Sequence, residues 1–272
     1  MTQSLWINGQ QQSQIDVRDR GFAYGDGIFE TVQISSGKAQ LLDRHVRRMK
    51  SGAQRLGFIS SSVNQLLAEL HSIELPSEAV LKLMLSRGVG GRGYTYDSTA
   101  DSTRVIMLAP RSAYGDQAES GICLRVCDTR LGLNPALAGI KHLNRLEQVL
   151  ARNEWSDPAI HEGVVLDYEG YIAEGTMSNL FWVKDQCIYT PRLDRCGVAG
   201  VVRDFLVERF FQAGADLKVG LYELPSLRDA DEVFICNSLI DIWPVRQLED
   251  VSYQSGPVAQ RARQYLVEEY QA

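Results

Sequence analysis

Five short stretches of this chain combine residue types that can do chemistry. The first is Ala138-Gly139-Ile140-Lys141-His142-Leu143-Asn144-Arg145-Leu146-Glu147. A lysine amine becomes a nucleophile able to form a Schiff base when its surroundings lower its pKa. Lys141 follows small and apolar residues and precedes a helical pattern, although a solvated lysine with His142 or Asn144 capping the helix fits this stretch equally well. The second is Ala173-Glu174-Gly175-Thr176-Met177-Ser178-Asn179, where a strand runs into a turn. A carboxylate there can hold a proton on a ring nitrogen and so make the ring a better electron sink, or it can be an exposed turn glutamate. The third, Cys196-Gly197-Val198-Ala199-Gly200-Val201-Val202-Arg203, places a glycine-rich turn at a helix start. Backbone N–H groups in such a place suit a phosphate, and an ordinary turn is the alternative. The fourth, Ile235-Cys236-Asn237-Ser238-Leu239, ends a strand in hydroxyl and amide groups. The fifth is Arg44-His45-Val46-Arg47-Arg48-Met49, in which helical spacing turns Arg48 inward with His45 and Met49 and sends Arg47 elsewhere. An inward arginine requires an anionic partner.

The elements that must position these groups follow from the hydrophobic pattern. Leu5-Trp6-Ile7 followed by Asn8-Gly9 predicts a strand entering a hairpin turn. Further strands are predicted over 28–34, 80–86 and 104–108, with helices around 42–56 and at Leu66, Leu67 and Leu70. After a Pro/Ser/Gly/Asp-rich stretch, strands are predicted at 122–127, 163–166, 180–183 and 233–236 and helices at 145–155, 202–213 and 258–270. The expected organisation is a small N-terminal α+β domain over 1–110, a linker over 111–117 and a larger mixed domain over 118–272. A cleft between two such lobes is the natural place for a ligand.

Composition narrows the class. With 272 residues, 44% hydrophobic and 23% charged, the chain reads as a folded, soluble protein. A net charge of −6 argues against a general nucleic-acid binder. No apolar run approaches the roughly 20 residues of a membrane span, and no secretory signal is visible. The five scattered cysteines read as buried reduced thiols rather than a metal site or disulfides, so the expected location is cytoplasmic and no metal is expected. No dinucleotide-binding Gly-rich turn appears.

Taken together, in this order, the five stretches resemble the fold-type IV pyridoxal-phosphate enzymes: branched-chain aminotransferases, D-amino-acid aminotransferases and aminodeoxychorismate lyases. The resemblance runs from Ile7-Asn8-Gly9 to about Val245 and includes Asp19-Arg20-Gly21-Phe22-Ala23-Tyr24-Gly25-Asp26-Gly27-Ile28-Phe29-Glu30-Thr31. Within the family the chain is most similar to the lyases, on Ser86-Arg87-Gly88-Val89-Gly90-Gly91-Arg92-Gly93-Tyr94 and on the run from Gly139 to Leu150. Branched-chain aminotransferases usually have a tyrosine where Leu146 stands, and D-amino-acid aminotransferases one where Phe29 stands; both hydroxyls are missing here.

The resemblance implies a two-lobed fold-type IV enzyme with mixed α and β structure, holding pyridoxal 5'-phosphate between its lobes. Lys141 would form the Schiff base and act as catalytic base, with Glu174 paired to the ring nitrogen. Arg48, the backbone of Val201 and Val202, Ser238 and the Leu239 N–H would hold the phosphate. Many relatives have a threonine where Val202 stands, so only its backbone can contribute here. Arg87 and Arg92 are the candidates for the carboxylates of a small-molecule substrate. The implied activity is loss of pyruvate from 4-amino-4-deoxychorismate to give 4-aminobenzoate, a step of folate biosynthesis. The alternatives are a class IV aminotransferase and a non-catalytic cofactor-binding regulator. The resemblance also implies a homodimer.

Overall fold

The computed structural model describes residues 3–59 and 61–271. The chain forms two compact units, Met1–Ser112 with Ile140–Asn144, and Ala113–Gly139 with Arg145–Ala272.

The first unit contains β1 (Ser4–Ile7), β2 (Gln10–Gln11), α1 (Arg20–Tyr24), β3 (Gly27–Ser35), β4 (Lys38–Ala39), α2 (Leu42–Arg55), α3 (Ser61–His71), β5 (Glu78–Ser86) and β6 (Thr103–Ala109). Among the described residues its strands form one antiparallel sheet in the order β2-β1-β6-β5-β3-β4. Asn8 and Gly9 both take positive φ, as the tight β1–β2 turn requires. The two-residue alternation of β3 buries Ile28, Val32 and Ile34 against α2 and α3, whose Met49, Ala53, Val63 and Leu66 complete the core. Each fully buried side chain of this size contributes roughly 2 kcal/mol. The helix α1 was not apparent in the hydrophobic pattern. It forms because Asp19 accepts the Gly21 N–H (2.7 Å) at its start and Gly25 closes it in the left-handed region, φ 64°.

β3 decides where Lys141 lies. One edge pairs with β5 along all of 27–35, whereas β4 covers the other edge only at Ile34 and Ser35. The open end of that edge takes up the segment Ile140–Asn144. Phe29 N–H donates to Lys141 O and Leu143 N–H to Gly27 O, each at 2.9 Å. These bonds place Lys141 with the first unit, although the chain on either side of Ile140–Asn144 belongs to the second.

The second unit contains α4 (Gln117–Ser120), β7 (Ile122–Leu131), α5 (Leu146–Arg152), β8 (Ile160–Asp167), β9 (Ile172–Gly175), β10 (Asn179–Lys184), β11 (Cys187–Pro191), α6 (Val201–Gln212), β12 (Leu217–Gly220), α7 (Leu224–Arg228), β13 (Glu232–Asn237), β14 (Asp241–Leu248), β15 (Val251–Ser252) and α8 (Pro257–Gln271). Among the described residues its sheet runs β12-β11-β10-β13-β14-β7-β8-β9, with β15 on β14. Parallel pairs (β11/β12, β14/β7, β7/β8) are mixed with antiparallel ones. Leu166, Leu180, Trp182, Val233, Ile235 and Val245 form its core. At the β8–β9 turn the buried Asp167 accepts the Glu169 and Tyr171 N–H groups, and Gly170 supplies φ 89°. The division between units falls at Ser112/Ala113, and Gln117, at the end of the expected linker, opens α4. The helix after Lys141 stops at Arg152, short of 155. The Glu154 carboxylate accepts the Asp128 and Thr129 N–H groups, and Trp155 Nε1 donates to Ile160 O at 2.9 Å. Among the described residues no helix is long and apolar enough to cross a membrane.

Candidate active site

Lys141 is half-buried, and its Nζ lies 4.5 Å from the centre of the Phe29 ring. The edge pairing holds the Lys141 backbone beside Phe29, so the amine rests over an aromatic face at a residue position with no hydroxyl.

Arg48 meets its required anion inside the same unit. Its Nε donates to Glu30 Oε1 at 2.8 Å, and its Nη2 contacts Glu30 Oε2. His45 Nδ1 lies 2.6 Å from that second oxygen, and both Glu30 and His45 are buried. Burial pushes the Glu30 carboxyl up, yet the adjacent Arg48 charge and the hydrogen bonds from Arg48 and His45 prevail and hold it at about 2. Burial outweighs the Glu30 hydrogen bond at His45 and lowers its pKa. The imidazole is therefore neutral and donates from Nδ1 to the carboxylate, with Arg48 fixed between solvent and Glu30. Arg47 is exposed on the other face of α2.

In the second unit, Glu174 is buried on β9. Its Oε2 accepts the Val198 N–H at 2.8 Å and its Oε1 the Gln148 Nε2 at 3.3 Å. Arg145 is close enough that the charges of Glu174 and Glu147 oppose the lowering of its pKa by burial. The Cys196–Gly200 turn is tied to the same carboxylate. Gly197 has φ 79°, and a Cβ there would approach Glu174 Oε2 to 3.2 Å. Gly139 N–H donates to Gly197 O, and Ala199 N–H to Gly139 O. Gly200 precedes α6 with no side-chain cap, and a Cβ on it would collide with Asn179 Oδ1. The backbone at Val201 and Val202 thus carries the positive end of a twelve-residue helix whose N-cap makes no side-chain hydrogen bond, while both valine side chains are buried.

The remaining candidates divide. Ser238 is half-buried just beyond β13. The Leu239 N–H expected at a phosphate donates instead to Asn237 Oδ1 at 2.8 Å, as does Ile240 N–H at 3.0 Å, so the asparagine closes this turn. Arg92 is exposed in the glycine-rich loop after β5. Arg87, the other candidate, is buried directly after β5. This buried side chain donates to Asp26 Oδ2 (2.8 Å), Leu56 O (2.7 Å) and Gly57 O (3.1 Å), and is packed on Tyr96, so its donors serve the fold. Of the five cysteines, Cys127, Cys187, Cys196 and Cys236 are buried and Cys123 is half-buried. Burial pushes the thiols of Cys127, Cys196 and Cys236 up to about 12, so none of these three is a thiolate nucleophile.

Sequence reasoning missed Glu30, His45, Gln148 and Asn179 as partners of the site residues. For Glu30 a signal existed: it replaces an apolar residue in the inward series Ile28, Val32, Ile34, and a buried acid one strand away from an inward arginine invites pairing.

The amino-transferase class IV family model matches residues 27–248. The chain belongs to that family. Within the class IV family, a curated aminodeoxychorismate lyase of Vibrio harveyi is 39% identical over 89% of this chain and 90% of its own length. One of Bacillus subtilis is 33% identical over 93% of this chain and 89% of its own. The crystal structure of 4-amino-4-deoxychorismate lyase from Pseudomonas aeruginosa shares 42% of residues and superposes with a TM-score of 0.93, covering 97% of this chain and 98% of that one. The mixed α and β architecture is therefore that of class IV enzymes.

Proposed function

We propose that this chain is a pyridoxal 5'-phosphate-dependent lyase that converts 4-amino-4-deoxychorismate into 4-aminobenzoate and pyruvate, a cytoplasmic step of folate biosynthesis. The observation that carries the reading is its likeness, over nearly the full length of both chains, to proteins of that activity. The residues support the cofactor. Each unit offers a group that suits a phosphate: in the second, the start of α6, which has no side-chain cap hydrogen bond, and in the first, the Arg48 guanidinium. A protonated ring nitrogen suits the Glu174 carboxylate, a buried acid on β9 held by the turn that leads into α6.

Once bound, the cofactor supplies the electron sink for a carbanion at the carbon bearing the substrate amine. The chain supplies the rest. Lys141 Nζ would hold the cofactor and would serve as the base that takes the proton from that carbon. Glu174 holds a proton on the ring nitrogen. Arg48 and the α6 backbone keep the phosphate still while Lys141 is exchanged for substrate. Loss of the C–H proton and of the neighbouring enolpyruvyl oxygen makes the ring aromatic, and the enol takes up a proton to become pyruvate. The two products together contain every atom of the substrate, so neither water nor oxidant is consumed.

The Phe29 ring under Lys141 favours elimination over transamination, because the position at which D-amino-acid aminotransferases usually carry a hydroxyl holds only carbon. We also assign the active form as a homodimer, supported by an apolar face that α5 turns to solvent. The deciding experiment feeds enzymatically made 4-amino-4-deoxychorismate to the purified protein with no keto acid. Equal amounts of 4-aminobenzoate and pyruvate over many turnovers are expected. Turnover of leucine or D-alanine with 2-oxoglutarate, and no 4-aminobenzoate, would overturn the lyase reading and leave the family intact.

A further inference from the structure

The loop between β5 and β6 has a composition that resists order: Gly88, Gly90, Gly91 and Gly93 fall within six residues. Glycine loses more conformational freedom on ordering than any other residue, so such a loop needs an external tether. The structure contains one. Arg20, the first residue of α1, is buried and sends its guanidinium into the loop. Its Nη1 donates to Gly93 O (2.9 Å) and Thr95 O (3.4 Å), and its Nη2 to Tyr94 O (3.0 Å), so one side chain gathers three successive carbonyls.

The third nitrogen, Nε, donates to Asp26 Oδ2 at 3.0 Å. That same oxygen accepts Arg87 Nε at 2.8 Å, and Arg87 in turn lies 3.7 Å from the Tyr96 ring centre and 4.3 Å from that of Phe58. A single carboxylate oxygen thus accepts from two buried guanidiniums, one holding the loop at 93–95 and the other stacked on the ring of Tyr96. The rings add to this. Tyr24, one turn along α1, lies under Arg20 at 4.8 Å and meets Tyr94 edge-on at 5.6 Å. Even a glycine position is explained: a Cβ on Gly90 would come within 2.7 Å of Arg20 Cδ.

What the clamp presents is Arg92, exposed, and Tyr94, 85% exposed, on the glycine-rich stretch of the loop. We propose that Arg20 is a positioning residue for substrate binding: its three carbonyl contacts, backed by Asp26 and Arg87, pre-order the loop so that Arg92 meets a substrate carboxylate without the loop first having to be ordered. The substrate class, a small ring bearing two carboxylates, rests on the lyase reading above; the clamp itself does not. Pre-ordering lowers the cost of binding and leaves the chemical step alone, so its loss belongs in KM rather than kcat.

Two measurements test this. The first needs no variant. Tryptic cleavage of the native holoenzyme after Arg92 should be slow despite the exposure of that side chain, because a protease must draw out the chain that Arg20 holds on the next three residues. Cleavage there as fast as in the urea-unfolded chain would overturn the clamp. The second uses Arg20→Lys, which keeps the charge opposite Asp26 but lacks the planar fork that reaches three carbonyls. Cleavage after Arg92 should accelerate about tenfold, and KM for 4-amino-4-deoxychorismate should rise about tenfold with kcat within about twofold, as expected for loss of charge-assisted hydrogen bonds that act on binding. Faster cleavage with KM unchanged, or an equal fall in kcat, would overturn the positioning role. A wild-type enzyme that makes no 4-aminobenzoate would sink the lyase reading instead, and the proteolysis would still judge the clamp.

Discussion

At the scale of single residues, Glu30 is a buried carboxylate inside the first unit that binds Arg48 and His45 together. Its acidity has a consequence for stability. The folded-state value of about 2 lies below the ordinary 4.5, so its contribution is fully present above about pH 4.5 and is lost as pH falls towards 2. His45 adds in the same direction. Its pKa is lowered in the fold, so the unfolded chain binds a proton first, and stability declines as pH drops below the ordinary histidine value of 6.5. Glu30→Gln should cost on the order of 3 kcal/mol at pH 7, because a half-buried guanidinium loses its counter-charge. It should also flatten the fall in stability below pH 4.5. Denaturant titrations of both proteins at several pH values measure this, and parallel pH curves for the two would refute the role. Because Glu30 orients Arg48, the variant should also release cofactor more readily on dialysis. At Glu174 the expectation differs: if the proposed phosphate contacts and Lys141 do the holding, Glu174→Ala should keep much of its cofactor and lose most of its turnover. Equal loss of both would make Glu174 a structural residue.

At the scale of elements, the turn after Glu174 depends on a second buried acid. Glu162 on β8 accepts from the Gly163, Thr176 and Met177 N–H groups and from the Thr176 and Ser178 hydroxyls, five donors on one carboxylate. Those bonds fix the residues that connect β9 to β10, and hence the register in which Glu174 leaves its strand. Glu162→Gln turns one acceptor into an amide donor facing donors, which should cost about 2–3 kcal/mol. Thermal unfolding checks the stability, and activity per bound cofactor shows whether Glu174 has shifted with it; unchanged values on both counts would deny Glu162 this role. The sequence made much of this scale legible, and where it did not, the reasons are physical. Strands with clean alternation, such as β3 and β5, and helices with a full apolar stripe, such as α2 and α6, could be read directly. α1 could not, because five residues carry no periodicity and its caps are what make it. Short strands such as β9 and β12 depend on neighbours distant in the chain. The site residues stood out as a set of motifs, but what Arg87 does depends on Leu56, Gly57 and Asp26, which only folding brings to it.

At the scale of the whole molecule, one element presents the wrong face to water. The helix α5 buries Ala151 and exposes Leu146 (70%), Val149 (52%) and Leu150 (57%), which at spacings of three and four share one side of the helix. A soluble monomer has no use for a contiguous apolar stripe pointing outward, whereas a two-fold assembly pairs such a stripe with its own copy. Because α5 starts five residues after Lys141, an interface on this helix would steady the segment that carries that lysine. The wild-type protein should therefore scatter light as a dimer at micromolar concentration. Leu146→Glu together with Leu150→Glu should shift it towards monomer, since each buried leucine contributes roughly 2 kcal/mol and a buried unpaired glutamate costs more. Both positions are exposed within the single chain, so the far-ultraviolet circular dichroism should not change. A double variant that remains fully dimeric would remove α5 from the interface, and a fully active wild-type monomer would remove the dimer.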